Sequence, residues 1–391
     1  MSADSVQSKV AAVILKALDI AKSEGQIPCD VPSQLILDRP KNRDHGDYAT
    51  SIALALAKEA NMQPGVIAKV IVKTLTDNKL LTTAGISKVD IAGPGFINIT
   101  LESASQGVVV TEILTAGKKF GTSNTLAGKK INLEFVSANP TGPLHLGHTR
   151  WAAVGDSLGR VLSAAGAQVS REFYVNDRGN QMDLFGASIR AAALGKARPE
   201  DGYHGEYIED LAKEIVKSNP QITQLAESES ISAFTQAGYK LQLEQQRKVL
   251  DNFGTHFDTW FSERSLYEDN FFNHSLDKLK KEGHVFEQEG AIWLRTTDFG
   301  DDKDRVMIKS DGTFAYFASD SAYYVSKRER GFNLCIYMLG ADHHGYVGRI
   351  KALAACAGDD PEKDVEVLIG QMVKIIEDGA ELKISKRAGT I

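Results

Sequence analysis

The sequence predicts an α/β protein, a doubly wound parallel sheet with a helical insertion, preceded by a small α+β domain. Its centre reads as strand "INLEFVS" (131–137), Gly/Pro turn, helix from His145 to Ala165, stop at Gly166 and strand "QVSREFYVND". That order is the signature of a parallel sheet with helical crossovers. Near residue 190 the rhythm turns helical and charged through about 255, which marks an insertion. Helices followed by strands fill the N-terminal stretch, as in a compact α+β domain.

Each element has a local reason. Val6, Val10, Ile14, Leu18 and Ala21 recur at helical spacing, and Gly25 is a natural stop. A second helix covers "SIALALAKEA", and a third begins at Pro64, a residue suited to a first helical position. In "KVDIAGPGFINITL", Ile97, Ile99 and Leu101 alternate with Phe96, Asn98 and Thr100, as in a strand. These give a first domain over 1–110, a polar, Gly-rich linker over 111–129 and a second domain over 130–391, with the insertion at about 190–290. The helix after His145 presents Leu146, Val154, Leu158, Val161 and Leu162 on one side, the expected core face. Pro220 interrupts the insertion. "AIWLRTT" and "DRVMIKSDGTFAYF" return to β-type sequence, with "SDGT" as the turn. "FNLCIYMLG" reads as a buried strand, followed by a helix from Tyr346 to Ala357, and "VEVLIGQMVKI" as the last strand.

The composition is that of a globular protein: 42% hydrophobic, 25% charged, net charge −6. An acidic balance argues against nucleic-acid binding by the chain as a whole, though a local basic patch remains compatible with it. Three scattered cysteines without a C-x-x-C pair read as reduced, buried thiols of a cytoplasmic protein, neither a disulfide framework nor a zinc site. No apolar run is long enough to span a bilayer, so no membrane partner is expected.

Two clusters stand out chemically. His145 and His148, in H-x-G-H, fall on one face of a first helical turn that follows a parallel strand. A helix N-terminus there offers backbone N–H groups to phosphate, and imidazoles add donors. Gly147 lets a flat base or a phosphate approach the backbone. A metal pair or an incidental structural pair are the alternatives; the i, i+3 spacing without an adjacent Glu does not fit H-E-x-x-H. The other cluster is "KISKR" (383–387), where Lys383, Lys386 and Arg387 crowd a loop. It suits a triphosphate, or is a solvated basic loop.

H-x-G-H after the first strand and K-I-S-K-R after the last resemble the two signatures of class I aminoacyl-tRNA synthetases. "EFVSANPTGPLHLGHTR", "YVNDRGNQM", "SDGTFAYFASDSAYY", "LGADHHGYVGR", "HGDYATSIALALAK" and "GPGFINITL" are similar to the arginyl-tRNA synthetases of the bacterial type, along essentially the whole chain. The resemblance implies a Rossmann-like nucleotidyl-transferase domain that uses ATP, with Mg2+ bound alongside it, L-arginine and tRNA(Arg). The arginine carboxylate attacks the α-phosphorus and pyrophosphate leaves. The arginyl group then passes to the terminal 2′-hydroxyl of the tRNA. His145, His148, Lys383 and Lys386 would be catalytic. Pro143, Gly147, Gly340, Asp342 and His344 would contact ATP, and Glu134, Ser137, Asn139, Tyr316, Asp320 and His343 arginine. A guanidinium demands carboxylates. Asp320 is the first candidate, with Tyr316 four residues earlier on the same helix side. Glu134, in a strand, needs a cation if buried. Arg39, Lys41 and Arg43 in "RPKNRDHGD" form a plausible tRNA phosphate patch. No metal site of the protein's own is implied, and a monomer is the expected state.

The family continues beyond the lysine loop into a helical domain that reads the anticodon, whereas this sequence stops at Ile391. The expectation is a truncated form with a mobile lysine loop, poor tRNA affinity and reduced or absent charging. Two competing readings are an H-x-G-H nucleotidyltransferase acting on a small molecule and a non-catalytic synthetase-like binding module. Exchange of pyrophosphate into ATP with arginine against other acceptors separates the first. Robust charging of tRNA(Arg) by the 391-residue chain would overturn the expectation of weak activity.

Overall fold

The structure, a computed structural model, describes residues 6–268, 271–371, 373–377 and 380–382. The chain forms two compact units, Met1–Ser123 and Asn124–Ile391. In the first, α1 (Val6–Ser23), α2 (Ile52–Leu56), α3 (Pro64–Asp77) and α4 (Leu80–Thr83) accompany a sheet of β1 (Tyr48–Thr50), β2 (Ile86–Ala92) and β3 (Phe96–Leu101), ordered β1-β3-β2 and antiparallel. The alternation read in β3 is real: Ile97 and Ile99 are buried with Val10, Ile14 and Leu18 of α1 and Ile67 and Ile71 of α3. Helix α5 (Ser103–Ala116) runs into the stretch read as a linker, and the units divide between Ser123 and Asn124.

The second unit is built on five parallel strands. These are β4 (Lys130–Glu134), β5 (Gln168–Val175), β6 (Thr259–Ser262), β7 (Leu334–Gly340) and β8 (Val365–Gly370). Their order is β8-β7-β4-β5-β6. The chain steps outward from β4 to β6 and then returns to β7 on the other side of β4. The order therefore reverses beside β4, and a crevice opens at the carboxyl ends of β4 and β7, where open α/β sheets bind ligands. The edge strand β6 falls inside the stretch read as an insertion, yet it completes the sheet.

Helix α6 (Leu146–Ala164) crosses from β4 to β5. The apolar side read from its sequence is not the side it buries. Leu146, Val154 and Val161 are 61%, 45% and 65% exposed, whereas Ala152, Gly155 and Gly159 are buried. The helix comes so close to the sheet that only small residues fit: a Cβ on Gly155 would lie 2.3 Å from Cδ2 of Phe135. Leu158 and Leu162 flank this contact, half-buried.

After β5 come α7 (Asn180–Ala193), α8 (Glu206–Ser218) and α9 (Glu227–Asn252), with Pro220 opening a 3-10 turn between the last two. They close over their own core of Phe185, Ile189, Ile208, Leu211 and Phe234. After β6, α10 (Phe271–Lys281) and an antiparallel sheet of three strands (Val285–Gln288, Ala291–Leu294, Arg305–Ile308) precede α11 (Tyr316–Glu329). The "SDGT" turn forms as read: Lys309 N–H donates to Thr313 O at 2.9 Å, and Gly312 has φ 82°. Helix α12 (Tyr346–Cys356) links β7 to β8, and a short hairpin pairs Ile375–Glu377 with Ala380–Leu382.

The Gly155 contact is checkable by chemical denaturation. Gly155→Ala is expected to lose about 1–3 kcal/mol of stability through overpacking against Phe135. Val154→Ala, one residue away on the exposed side, is expected to stay within about 0.5 kcal/mol.

Candidate active site

Strand β4 delivers Glu134 to the crevice. The chain then kinks through two successive left-handed residues, Val136 (φ 68°) and Ser137 (φ 43°). For a β-branched residue that conformation costs on the order of 1–3 kcal/mol and persists only where surroundings enforce it. Ser137 is tied on both sides: its hydroxyl donates to Glu134 Oε1 (3.3 Å) and accepts from Tyr174 N–H (3.1 Å). Asn139 is exposed and donates from Nδ2 to Gln181 Oε1 (2.8 Å). Pro143, part-buried, lies in the turn that leads to His145.

His145 is the N-cap of α6. Its Nδ1 accepts from Gly147 N–H (3.1 Å), and His148 Nδ1 accepts from His145 N–H (3.2 Å). The imidazoles thus form a reciprocal capping box with rings 4.0 Å apart. His148 Nδ1 also lies 3.2 Å from His145 O, so its role follows the ring's tautomer; His145 Nδ1, as acceptor from Gly147 N–H, favours the tautomer with the proton on Nε2. A Cβ on Gly147 would lie 2.8 Å from His145 Cε1, so this glycine also makes room for the capping ring. Both histidines line a 590 Å³ cavity with Leu144, Leu146, Val249 and Phe253. Two residues on, Arg150 donates to Gln371 O (2.7 Å), and the Trp151 ring occupies the place of a Cβ on Gly370 at the end of β8. The start of α6 is therefore locked to the far side of the sheet.

Buried charge is concentrated beneath the loop. Lys327 of α11 is wholly buried, pairs with Glu134 Oε2 at 2.6 Å, and lies over the rings of Tyr323 (4.3 Å) and Tyr337 (3.9 Å). The cation that Glu134 needs is thus already within the chain. Glu172 on β5 would be raised by burial, but hydrogen bonds from Arg330 (3.0 Å) and the Tyr323 hydroxyl (2.6 Å), with the nearby Lys327 charge, hold it below the usual carboxylate range. Asp320 behaves oppositely. Burial pushes it up to about 7, helped by Glu263 and Glu134, against a hydrogen bond from the Tyr346 hydroxyl (3.2 Å) and the charge of Arg349. Glu263, just after β6, is also raised, by burial and by Asp177. Neither Asp320 nor Glu263 has an ion-pair partner within 4 Å among the described residues. Glu263 is among the charges that raise Asp320, and two neighbouring carboxylates raised by burial favour a cationic ligand.

Tyr316 does not join Asp320: it is 94% exposed, and the phenol on Asp320 is that of Tyr346, from α12. Side chains on a helix lean toward its N-terminus, and Tyr316, opening α11, has no preceding turn to lean on.

Gly340 ends β7 opposite Gly370, and Asp342, His343 and His344 follow, exposed, with His343 Nε2 3.4 Å from Asp342. Lys383 and Lys386 lie outside the described residues. In the first unit, Arg39 and Lys41 are exposed, Arg39 lies 5.8 Å from the Tyr48 ring, and Arg43 opens a 3-10 turn ending at His45. Glu263, Lys327 and Tyr346 escaped the sequence reading. Lys327 is seven residues after Asp320, the same helix face, which is a usable signal. Glu263 follows a strand of four residues, too short to be recognised by alternation.

The fold and site define a class of protein. Residues 109–391 match the family model described as tRNA synthetases class I (R), catalytic domain, and residues 4–101 match the arginyl tRNA synthetase N terminal domain. The chain belongs to the arginyl-tRNA synthetase family. It is 53% identical over 361 residues to an arginine–tRNA ligase of Renibacterium salmoninarum, covering 92% of this chain and 64% of that one. A similar ligase of Paenarthrobacter aurescens is 50% identical, covering 98% and 69%. Among solved structures, a Campylobacter jejuni protein assigned as an arginyl-tRNA synthetase superposes with TM-score 0.65 at 38% identity, covering 71% of this chain and 62% of that one. The Thermus thermophilus enzyme, at 20% identity, shares the fold with the same TM-score, covering 93% and 65%. The chain spans about two thirds of the length of the relatives it matches.

Two stability measurements check the charge arrangement. Lys327→Met, which strands a buried carboxylate, is expected to destabilise by about 3–5 kcal/mol, and adding Glu134→Gln should recover most of that loss. Asp320 titrates higher folded than unfolded, so the native state holds its proton between pH 3.8 and about 7 while the unfolded chain does not. Its contribution is present in full below that window and is lost as pH rises through it. The stability difference between wild type and Asp320→Asn should therefore shift in favour of Asn from about pH 4 to 7 and flatten above.

Proposed function

We propose that this chain activates L-arginine with ATP to arginyl-adenylate and transfers the arginyl group to tRNA(Arg), in the cytoplasm. The observation that carries the reading is the pair Asp320 and Glu263, neighbouring carboxylates raised by burial, without an ion-pair partner within 4 Å among the described residues. A guanidinium stays charged at any working pH and satisfies two carboxylates at once.

In this reading Asp320 and Glu263 hold the guanidinium. Glu134, kept in place by Lys327, receives the α-amino end together with Ser137 and Asn139. The arginine carboxylate then meets the α-phosphorus near the start of α6. His145 and His148 donate from Nε2 to phosphate oxygens as charge develops on them, and the helix N-terminus adds favourable potential. Gly147 and Pro143 border the nucleotide, Gly340 and Asp342 its ribose, and Lys383 and Lys386 the β- and γ-phosphates. His343 and His344 flank this end, and Arg39, Lys41 and Arg43 are assigned to tRNA phosphates. Catalysis is mainly positioning and electrostatics, as in other phosphoryl chemistry. Among the described residues no cluster of three or more His, Cys, Asp or Glu could hold a metal. Magnesium is assigned to the ATP phosphates, where it commonly keeps its waters.

Calorimetry with arginine, its neutral isostere citrulline, and a non-hydrolysable arginyl-adenylate analogue tests the assignment. Arginine should bind, citrulline should not, and the analogue should bind far more tightly than arginine. Equal affinity for arginine and citrulline would sink it. Because the guanidinium favours the ionised form of Asp320, arginine binding should release a proton below pH 7. Affinity should fall about tenfold per pH unit below that point, and Asp320→Asn should bind weakly with no such slope.

A further inference from the structure

The loop that joins the two halves of the site is braced from outside the sheet. Gln246, in the middle of α9, is completely buried. Its Nε2 donates to the carbonyls of Asn139 (3.0 Å) and Gly142 (2.8 Å), gripping both sides of the turn between Ser137 and His145. From α8 the Tyr207 hydroxyl donates to Thr141 O (2.9 Å). From α7 Gln181 accepts from Asn139 Nδ2 (2.8 Å) and anchors itself on Asn176 O (3.0 Å). All three helices of the bundle therefore hold one loop of four residues. That loop begins just after the left-handed pair Val136 and Ser137, a conformation imposed on it rather than intrinsic to it.

We propose that the helical bundle sets the spacing between the amino-acid side of the site and its phosphate side, and that Gln246 is the positioning residue through which it does so. The inference rests on the reading of the site given above. Gln246 touches neither ligand in that reading; it acts through the carbonyls of Asn139 and Gly142. Its Oε1 has no hydrogen-bond partner among the described residues. A buried amide with an orphan oxygen is a costly way to fill space, and an apolar side chain of similar size would do so at less cost. The cost makes sense if the two donated bonds are what the position is for. The bundle also has its own hydrophobic core, so it can act as a rigid brace.

The two ends of the site have separable readouts. Arginine alone engages one side and ATP the other, whereas an arginyl-adenylate analogue spans both at a fixed distance. Gln246→Met, near-isosteric and without the donor, should leave thermal stability unchanged or raised. Its affinities for arginine and for ATP should stay within about twofold, and its affinity for the analogue should fall by about tenfold or more. Tyr207→Phe, a milder change at a part-buried position, should move the analogue affinity in the same direction by a smaller factor, and it decides the matter if Gln246→Met does not fold. A ratio of analogue to arginine affinity that stays at the wild-type value in the folded variants overturns the proposal. A wild-type chain that binds the analogue no better than arginine overturns the site reading, and the proposal with it.

Discussion

A single buried ammonium, that of Lys327, ties together the centre of the larger unit. It pairs with Glu134 at the end of the central strand, from a helix 193 residues further along the chain, and is flanked by tyrosines of that helix and of the neighbouring strand. Water has no access to it, so the pair is held by geometry and by the aromatic faces rather than by solvation. With Glu134 anchored, Ser137 can bond it, Tyr174 can bond Ser137, and the strained turn that starts the signature loop has a fixed origin.

The carboxylates around this point show how differently one chemistry can be tuned within a small volume. Glu172 is surrounded by donors and stays ionised. Asp320 is raised by burial, with a smaller push from Glu263 and Glu134, and resists ionisation up to about pH 7. The distinction lies in which donors and cations reach each group: Arg330, Lys327 and the Tyr323 hydroxyl act on Glu172, while Asp320 has the Tyr346 phenol and the charge of Arg349. An internal cation pairs with the structural carboxylates, and the place beside Asp320 and Glu263, which have no ion pair within 4 Å among the described residues, is the one a cationic substrate is proposed to fill.

Much of the architecture was legible in the sequence, because its signals are local. The parallel strands, the start of α6 at His145, Pro64 at a helix start and the "SDGT" turn follow from periodicity, capping and turn chemistry within a few residues. The face of α6 was misread for a reason of range. Leu146, Val154 and Val161 look like a core stripe, yet a helix that nearly touches the sheet must bury glycine and alanine, and how close it comes is decided by Phe135 on another element. The phenol that bonds Asp320 likewise comes from another element, α12, which a reading of spacing along α11 does not reach.

By itself the sequence determined the fold class, the histidine turn at the end of the central strand and the family, each carried by short contiguous stretches. The tertiary structure alone decided which charges meet, which described carboxylates lack an ion pair, and that the helical bundle grips the signature loop through Gln181, Tyr207 and Gln246. Those contacts join residues distant along the chain, and their strength depends on burial and distance. Both are set by the order of strands in the sheet, which brings β7 back beside β4.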